Sequence, residues 1–330
     1  MDQIQEIISS LEKQFNGDQA HDIEIVREYC KTLPQSEDSL RIVTALGRYA
    51  AEHFPDEPMV KDAKKIEEAL TGFMDKIHHA QDCLRDKKYE EAIAGFDEVI
   101  GDIKPPKIEG KRQYSFSHPF EEMIVRASTR DTTPIERVSP LPEVLYYQKG
   151  VCCFELKRYA QAREAYQCAL ELNPVNVRTW FEIAQIDKIE GKYEDLRALL
   201  LKVHPMLFTR NMLARFYREE AGLAMIEEKY ALAVSLVYLS LDYEDSPQAR
   251  AQLNALAKHR GVDLSKPTVG KVRAQLEEAG IPVGPAPQVY KLAIDIGNTM
   301  KKSHPEIAKM AYAIAYDVTH YEPLLKELEA

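Results

Sequence analysis

The sequence predicts an all-α chain built as an elongated array of antiparallel helix hairpins, and three observations predict it. Helix formers dominate: 14 Gly and 18 Pro among 330 residues, beside abundant Ala, Leu, Glu, Lys and Gln, leave little turn chemistry for sheets. A chain this long exceeds one compact core, so it either divides into domains or stacks repeats. A turn tyrosine recurs at Tyr89, Tyr159, Tyr193 and Tyr230, at spacings of 70, 34 and 37 residues, and 34 is the period of one helix-turn-helix repeat.

Residues 1–72 read as two atypical helix hairpins that cap the array. Ser36 is an N-cap candidate, and Leu40, Val43, Leu46 and Tyr49 follow at helical spacing. Gly47 resembles a repeat glycine, but Pro55 and Pro58 stand where a hairpin turn belongs. Residues 73–261 hold the repeats. Four hairpins are expected, at about 73–100, 143–174, 177–205 and 214–244, each with a second helix opening at a turn tyrosine.

The spacing of 70 exceeds one period by 36, which marks an insertion at 101–142. That stretch holds six prolines, and Tyr114-Ser115-Phe116-Ser117 alternates with period two, so a non-helical, extended or short hairpin element is expected there. Its apolar content, with Met123-Ile124-Val125, is too high for a free loop and predicts packing on the array. Residues 262–330 read as a helix near 268–279, a Gly/Pro linker over 280–287 and two further helices, forming the other cap.

Within 143–174 the order is Tyr146, Gly150, Ala162, Tyr166, Ala169 and Pro174. The small residues let two helices approach closely, an aromatic fills the space beside the crossing, and the proline closes the second helix. This pattern resembles the tetratricopeptide repeat family, and the likeness continues, less regularly, through 73–100 and 177–244. Leu196, for instance, replaces a small residue. The resemblance implies a right-handed superhelical solenoid and a protein or peptide adaptor. The whole chain is also similar to uncharacterised bacterial repeat proteins with a similar insertion, a likeness that implies no activity.

Chemistry-bearing motifs do not emerge. There is no HExxH, no phosphate-binding glycine loop and no GxSxG elbow. His78-His79 diverge on a helix, and the Glu121-Glu122 and Glu227-Glu228 pairs read as solvated turn charges. Five cysteines without CxxC spacing read as small buried hydrophobes in a reducing compartment. No metal, no cofactor and no catalysis is expected.

The amino-terminal stretch lacks the pattern of a secretory signal, and no apolar run is long enough to span a membrane, so the expected location is cytoplasmic. All of the net charge of −10 lies in residues 1–100, which carry 22 Asp and Glu against 12 Lys and Arg; the remainder carries 31 of each. An acidic first third disfavours nucleic acid and anionic membrane as partners.

The family's geometry implies a concave groove lined by first helices. Here that selects Val144, Tyr147, Val151 and Phe154, then Arg178, Phe181, Gln185 and Lys188, then Arg215, Arg218 and Met225. Aromatics beside arginines suit a protein or peptide with an acidic segment or free carboxylate. The arginines alternatively have internal acidic partners or stay wet. The carboxylate-clamp members place lysines and asparagines where this chain has Tyr147, Val151 and Glu182, so chaperone-tail binding is not expected. A non-catalytic binding scaffold is therefore the leading expectation. A regulatory sensor whose solenoid responds to a peptide or small anion comes second, and an enzyme third.

Overall fold

The computed structural model describes residues 3–33, 37–103, 108–128 and 132–329; the expected N-cap at Ser36 lies outside them. The helices and strands, in chain order, are α1 Gln3–Glu12, α2 Gln19–Thr32, α3 Glu37–His53, α4 Pro58–Arg85, α5 Tyr89–Asp102, β1 Arg112–Tyr114, α6 Pro119–Ser128, β2 Ile135–Arg137, α7 Leu141–Glu155, α8 Tyr159–Leu172, α9 Val177–Ile189, α10 Tyr193–Val203, α11 Arg210–Ile226, α12 Tyr230–Tyr243, α13 Pro247–Leu256, α14 Val269–Glu278, α15 Pro287–Met300, α16 Pro305–Thr319 and α17 Leu325–Glu329. The chain compacts into two units, 1–82 and 83–330, and the boundary falls inside α4.

In the first unit, α1, α2, α3 and the start of α4 close a small core around Ile23, Val26, Leu46, Phe54 and Val60. Gly47 is not a helix-crossing glycine, because a β-carbon there would meet nothing within 4 Å.

In the second unit the tetratricopeptide-like hairpins form a helical solenoid. α5, α8, α10 and α12 each begin at their turn tyrosine. The residue two places before each tyrosine, Lys87, Lys157, Gly191 or Glu228, has a positive φ of 57–71°. The next N–H then bonds back to the carbonyl five residues earlier at 2.8 Å, as Arg158 does to Cys153. This left-handed closure satisfies a carbonyl at the end of the first helix and reverses the chain.

Gly150 lies against the Tyr166 ring, with Ala162 and Ala169 wholly buried at the same crossing. Replacing Ala162 by Leu should cost about 1–3 kcal/mol by overpacking; a melt unchanged by that substitution would show that the helices are not in this register.

The insertion is not the non-helical element expected. Pro119 starts α6 at a position where its missing N–H costs nothing, and Phe120, Met123 and Ile124 give it one apolar stripe. β1 and β2 pair in parallel, with Gln113 opposite Glu136, rather than as a hairpin. A parallel pair needs a crossover, and α6 supplies it. The insertion does pack on the array: the Ser115 N–H donates to the Leu172 carbonyl at 2.8 Å.

Phe120, Ile124 and Val125 share a second core with Val175 and Phe208 from two inter-repeat loops, and with Val289, Ala293, Tyr312 and Ala315 from α15 and α16. The latter two helices repeat the array's own construction. Gly297 lies against the Tyr312 ring, and Ala308, Tyr312 and Ala315 have the spacing of Ala162, Tyr166 and Ala169.

Candidate functional site

The first helices α7, α9 and α11 bring most of the predicted residues into one ladder of side chains. The guanidinium of Arg178 stands 4.2 Å from the Tyr147 ring centre, and its Nε donates to Tyr147 Oη at 2.8 Å. One repeat further on, Arg215 stands 4.8 Å from the Phe181 ring centre and donates to Glu182 at 3.0 Å. An aromatic of one repeat thus carries the arginine of the next, and a guanidinium on an aromatic face is held in a fixed orientation. Gln185 and Lys188 donate to the two oxygens of Glu219, at 2.6 and 2.7 Å. Arg218 bonds Glu244 at 3.1 Å and the Ser246 hydroxyl at 3.2 Å.

The three arginines are therefore not equivalent. Arg215 and Arg218 are half-buried and ion-paired within the chain, so for those two the alternative of internal acidic partners holds. Arg178 is exposed, and among the described residues no carboxylate lies within ion-pair distance of it. Tyr147 and Phe181 are buried, and Val144, Val151, Phe154 and Met225 are half-buried; Phe154 stacks edgewise on Tyr159 of its own hairpin. These apolar residues pack more than they present, which leaves a polar face whose accessible cation is Arg178.

The acidic partners of this ladder were missed in the sequence. Their signal is a charge or dipole opposite in sense at about one repeat: Glu182 precedes Arg215 by 33 residues, and Glu219 follows Lys188 by 31.

The Glu121-Glu122 pair is not a solvated turn charge, because both residues are buried. Glu121 caps α6 by accepting from the N–H groups of Ser117 and His118, at 2.8 and 3.1 Å, and accepts from Asn173 Nδ2 at 2.9 Å. Glu122 is held by Arg126 and Arg137. Against this junction lies Glu143, in the first turn of α7, which accepts from Asn176 Nδ2 at 2.7 Å. Burial, and then the Glu121 charge, push the Glu143 carboxyl up to about 7, against the pull of Asn176 and Arg178. The insertion is thereby tied to the array by a buried polar contact, close to the Arg178 end of the ladder.

None of the predicted residues lines the 730 Å³ hollow between α12 and α14. Among the described residues, no three His, Cys, Asp or Glu side chains come together as a metal site, and no helix is long and apolar enough to cross a membrane.

Residues 144–176, which comprise α7, α8 and the loop after them, match the sequence model of the tetratricopeptide repeat. No curated protein matches the chain.

Proposed function

We propose, from the tetratricopeptide repeat at 144–176, that the chain is a cytoplasmic, non-catalytic scaffold that binds a protein or peptide along the first-helix face of its array. The observation that carries this reading is Arg178: an exposed guanidinium, oriented by the Tyr147 ring and without a carboxylate partner among the described residues, beside two arginines that have one. The ligand it suits is an extended segment with an acidic side chain or a free carboxylate. The remaining groove residues serve as walls and spacers, and the helices of 1–72 and 262–330 cap the repeats in this reading.

The test begins with capture of the partner on the immobilised chain, followed by affinity measurements at low and high salt. Arg178→Ala should weaken binding by about 1 kcal/mol, as befits an exposed ionic contact, and flatten the salt dependence. Arg215→Ala and Arg218→Ala should instead lower the melting temperature, because they remove the ion-pair partners of Glu182 and Glu244, Glu244 keeping its bond from Asn211. Equal affinity in all three variants would remove this face as the binding site.

A further inference from the structure

We propose that residues 1–82 carry a second docking surface, a trough for a basic amphipathic helix of a partner protein, separate from the face of the array. The trough has two parts that share one bordering residue. The first is a groove of 640 Å³ floored by Ile23, Val26 and Leu46, with Val43, Gly47 and Ala51 along its α3 side. The second is a hollow of 380 Å³ along α4, lined by Ile66, Leu70 and Met74 and by Glu67, Thr71 and Asp75. Glu67 borders both.

The α4 row is exposed in a way that soluble chains avoid. Ile66, Leu70 and Met74 follow one another at i, i+4 and i+8, and are 61%, 59% and 44% exposed. The same helix spaces Ile66, Leu70, Phe73, Ile77 and Ala80 by alternate fours and threes, the pattern of a helix that meets another along a seam. Ile77 and Ala80 are buried, whereas Ile66 and Leu70 are exposed. Val43, Gly47 and Ala51 follow one another at i, i+4 and i+8 on α3, and the open space above Gly47 lets a helix backbone come close.

Charge selects the occupant. Residues 1–82 hold 17 Asp and Glu against 9 Lys and Arg, a net of −8. Beside the bare apolar row runs Glu67-Thr71-Asp75, again one α-helical turn apart, and Glu52 stands on the groove. Arg27, on the α2 side, is engaged by Glu24; Arg48 adds one position for an acidic residue on the incoming helix. Two copies of a unit with a net charge of −8 repel each other, so the complement is a helix with an apolar stripe flanked by lysine or arginine.

The probe is a labelled amphipathic Leu/Lys peptide of about five helical turns, titrated into the full chain in physiological salt. Its controls are a Leu/Glu peptide of the same pattern and a Lys/Ala peptide without the apolar stripe. The Leu/Lys peptide should bind at least about tenfold more tightly than either control. Ile66→Ser with Leu70→Ser should remove that advantage, and Gly47→Leu should do so independently by filling the groove. All three substitutions lie at exposed positions, so none should lower helicity or melting, and Gly47→Leu should raise the melting temperature slightly because it removes a glycine from inside α3. Wild-type affinity in these variants, or equal binding of the Leu/Glu peptide, would overturn the proposal. So would a wild-type dimer that Ile66→Ser with Leu70→Ser converts to a monomer, since a second copy would then cover the row. Arg178→Ala should leave this binding intact, so failure here is distinct from failure of the array reading.

Discussion

Replacing Glu220 by Gln should stabilise the protein at pH 8 by about 1–3 kcal/mol and leave its stability at pH 4.5 nearly unchanged. Glu220 lies on α11, is 2% exposed, and its Oε1 has no hydrogen-bond partner among the described residues. Burial raises its carboxyl to about 7; Arg197 pulls it down, and Glu227 and Glu219 push it up. Glu143 has the same elevation, for the reasons given above. A carboxyl whose folded pKa is raised holds its proton in the folded state while the unfolded chain, near 4.5, has released it. Its contribution is therefore fully present below about pH 4.5 and is lost as pH rises through 7. The full swing is on the order of 3 kcal/mol per site.

Two imidazoles, His204 buried and His118 half-buried, act in the opposite sense. Burial lowers the pKa of His204, despite its hydrogen bond to the Gly284 carbonyl, and also that of His118, despite the nearby Glu121 charge. Their stabilisation is lost as the pH falls below 6.5. The wild-type profile alone is thus a sum of opposing slopes, and the informative quantity is the difference between wild type and Glu220→Gln, or Glu143→Gln, across pH 5–8. A difference independent of pH would show that these carboxyls titrate normally.

The second large effect is steric. A β-carbon at Gly150 would stand 2.4 Å from Cε1 of Tyr166, and one at Gly297 would stand 2.4 Å from Cε1 of Tyr312. Both rings are buried and cannot swing aside. Alanine normally gains about 1 kcal/mol over glycine inside a helix. Here Gly150→Ala and Gly297→Ala should each lose about 1–3 kcal/mol net, because the ring must move. Combining Gly297→Ala with Tyr312→Leu should recover part of the loss. Gain of stability by either glycine variant alone, measured by denaturant melts, would contradict the packing of that hairpin.

The repeat hairpins were legible because their determinants are local. A left-handed residue, the bond of the next N–H to a carbonyl five residues back, and a tyrosine two places on lie within a few residues of one another, so the tyrosines locate the starts of α5, α8, α10 and α12. What was not legible depends on distant partners. The prolines around 101–142 suggested an extended element, whereas Phe120 and Ile124 form a helical stripe whose cover comes from α15 and α16. The Gly297 and Tyr312 crossing went unread because its turn is one residue shorter than that of Gly150 and Tyr166. Arg215 and Arg218 were placed on the right helix, but their partners Glu182 and Glu244 follow only from how repeats stack. The Glu121-Glu122 pair reads as solvated because adjacent carboxylates in sequence show no pocket; the burial of Glu121 depends on Asn173 arriving from the end of α8.

The shared core of the insertion and the carboxy-terminal helices also sets an order of events during synthesis. α6 ends at Ser128, but α15 begins at Pro287 and α16 ends at Thr319. At ribosomal speeds of about 5–20 residues per second, the apolar stripe of Phe120, Ile124 and Val125 waits roughly 10–30 s for its cover. The repeats between them fold meanwhile on local contacts and hold the stripe on the edge of a finished array. A nascent chain halted before Pro287 therefore lacks the two helices that cover this stripe.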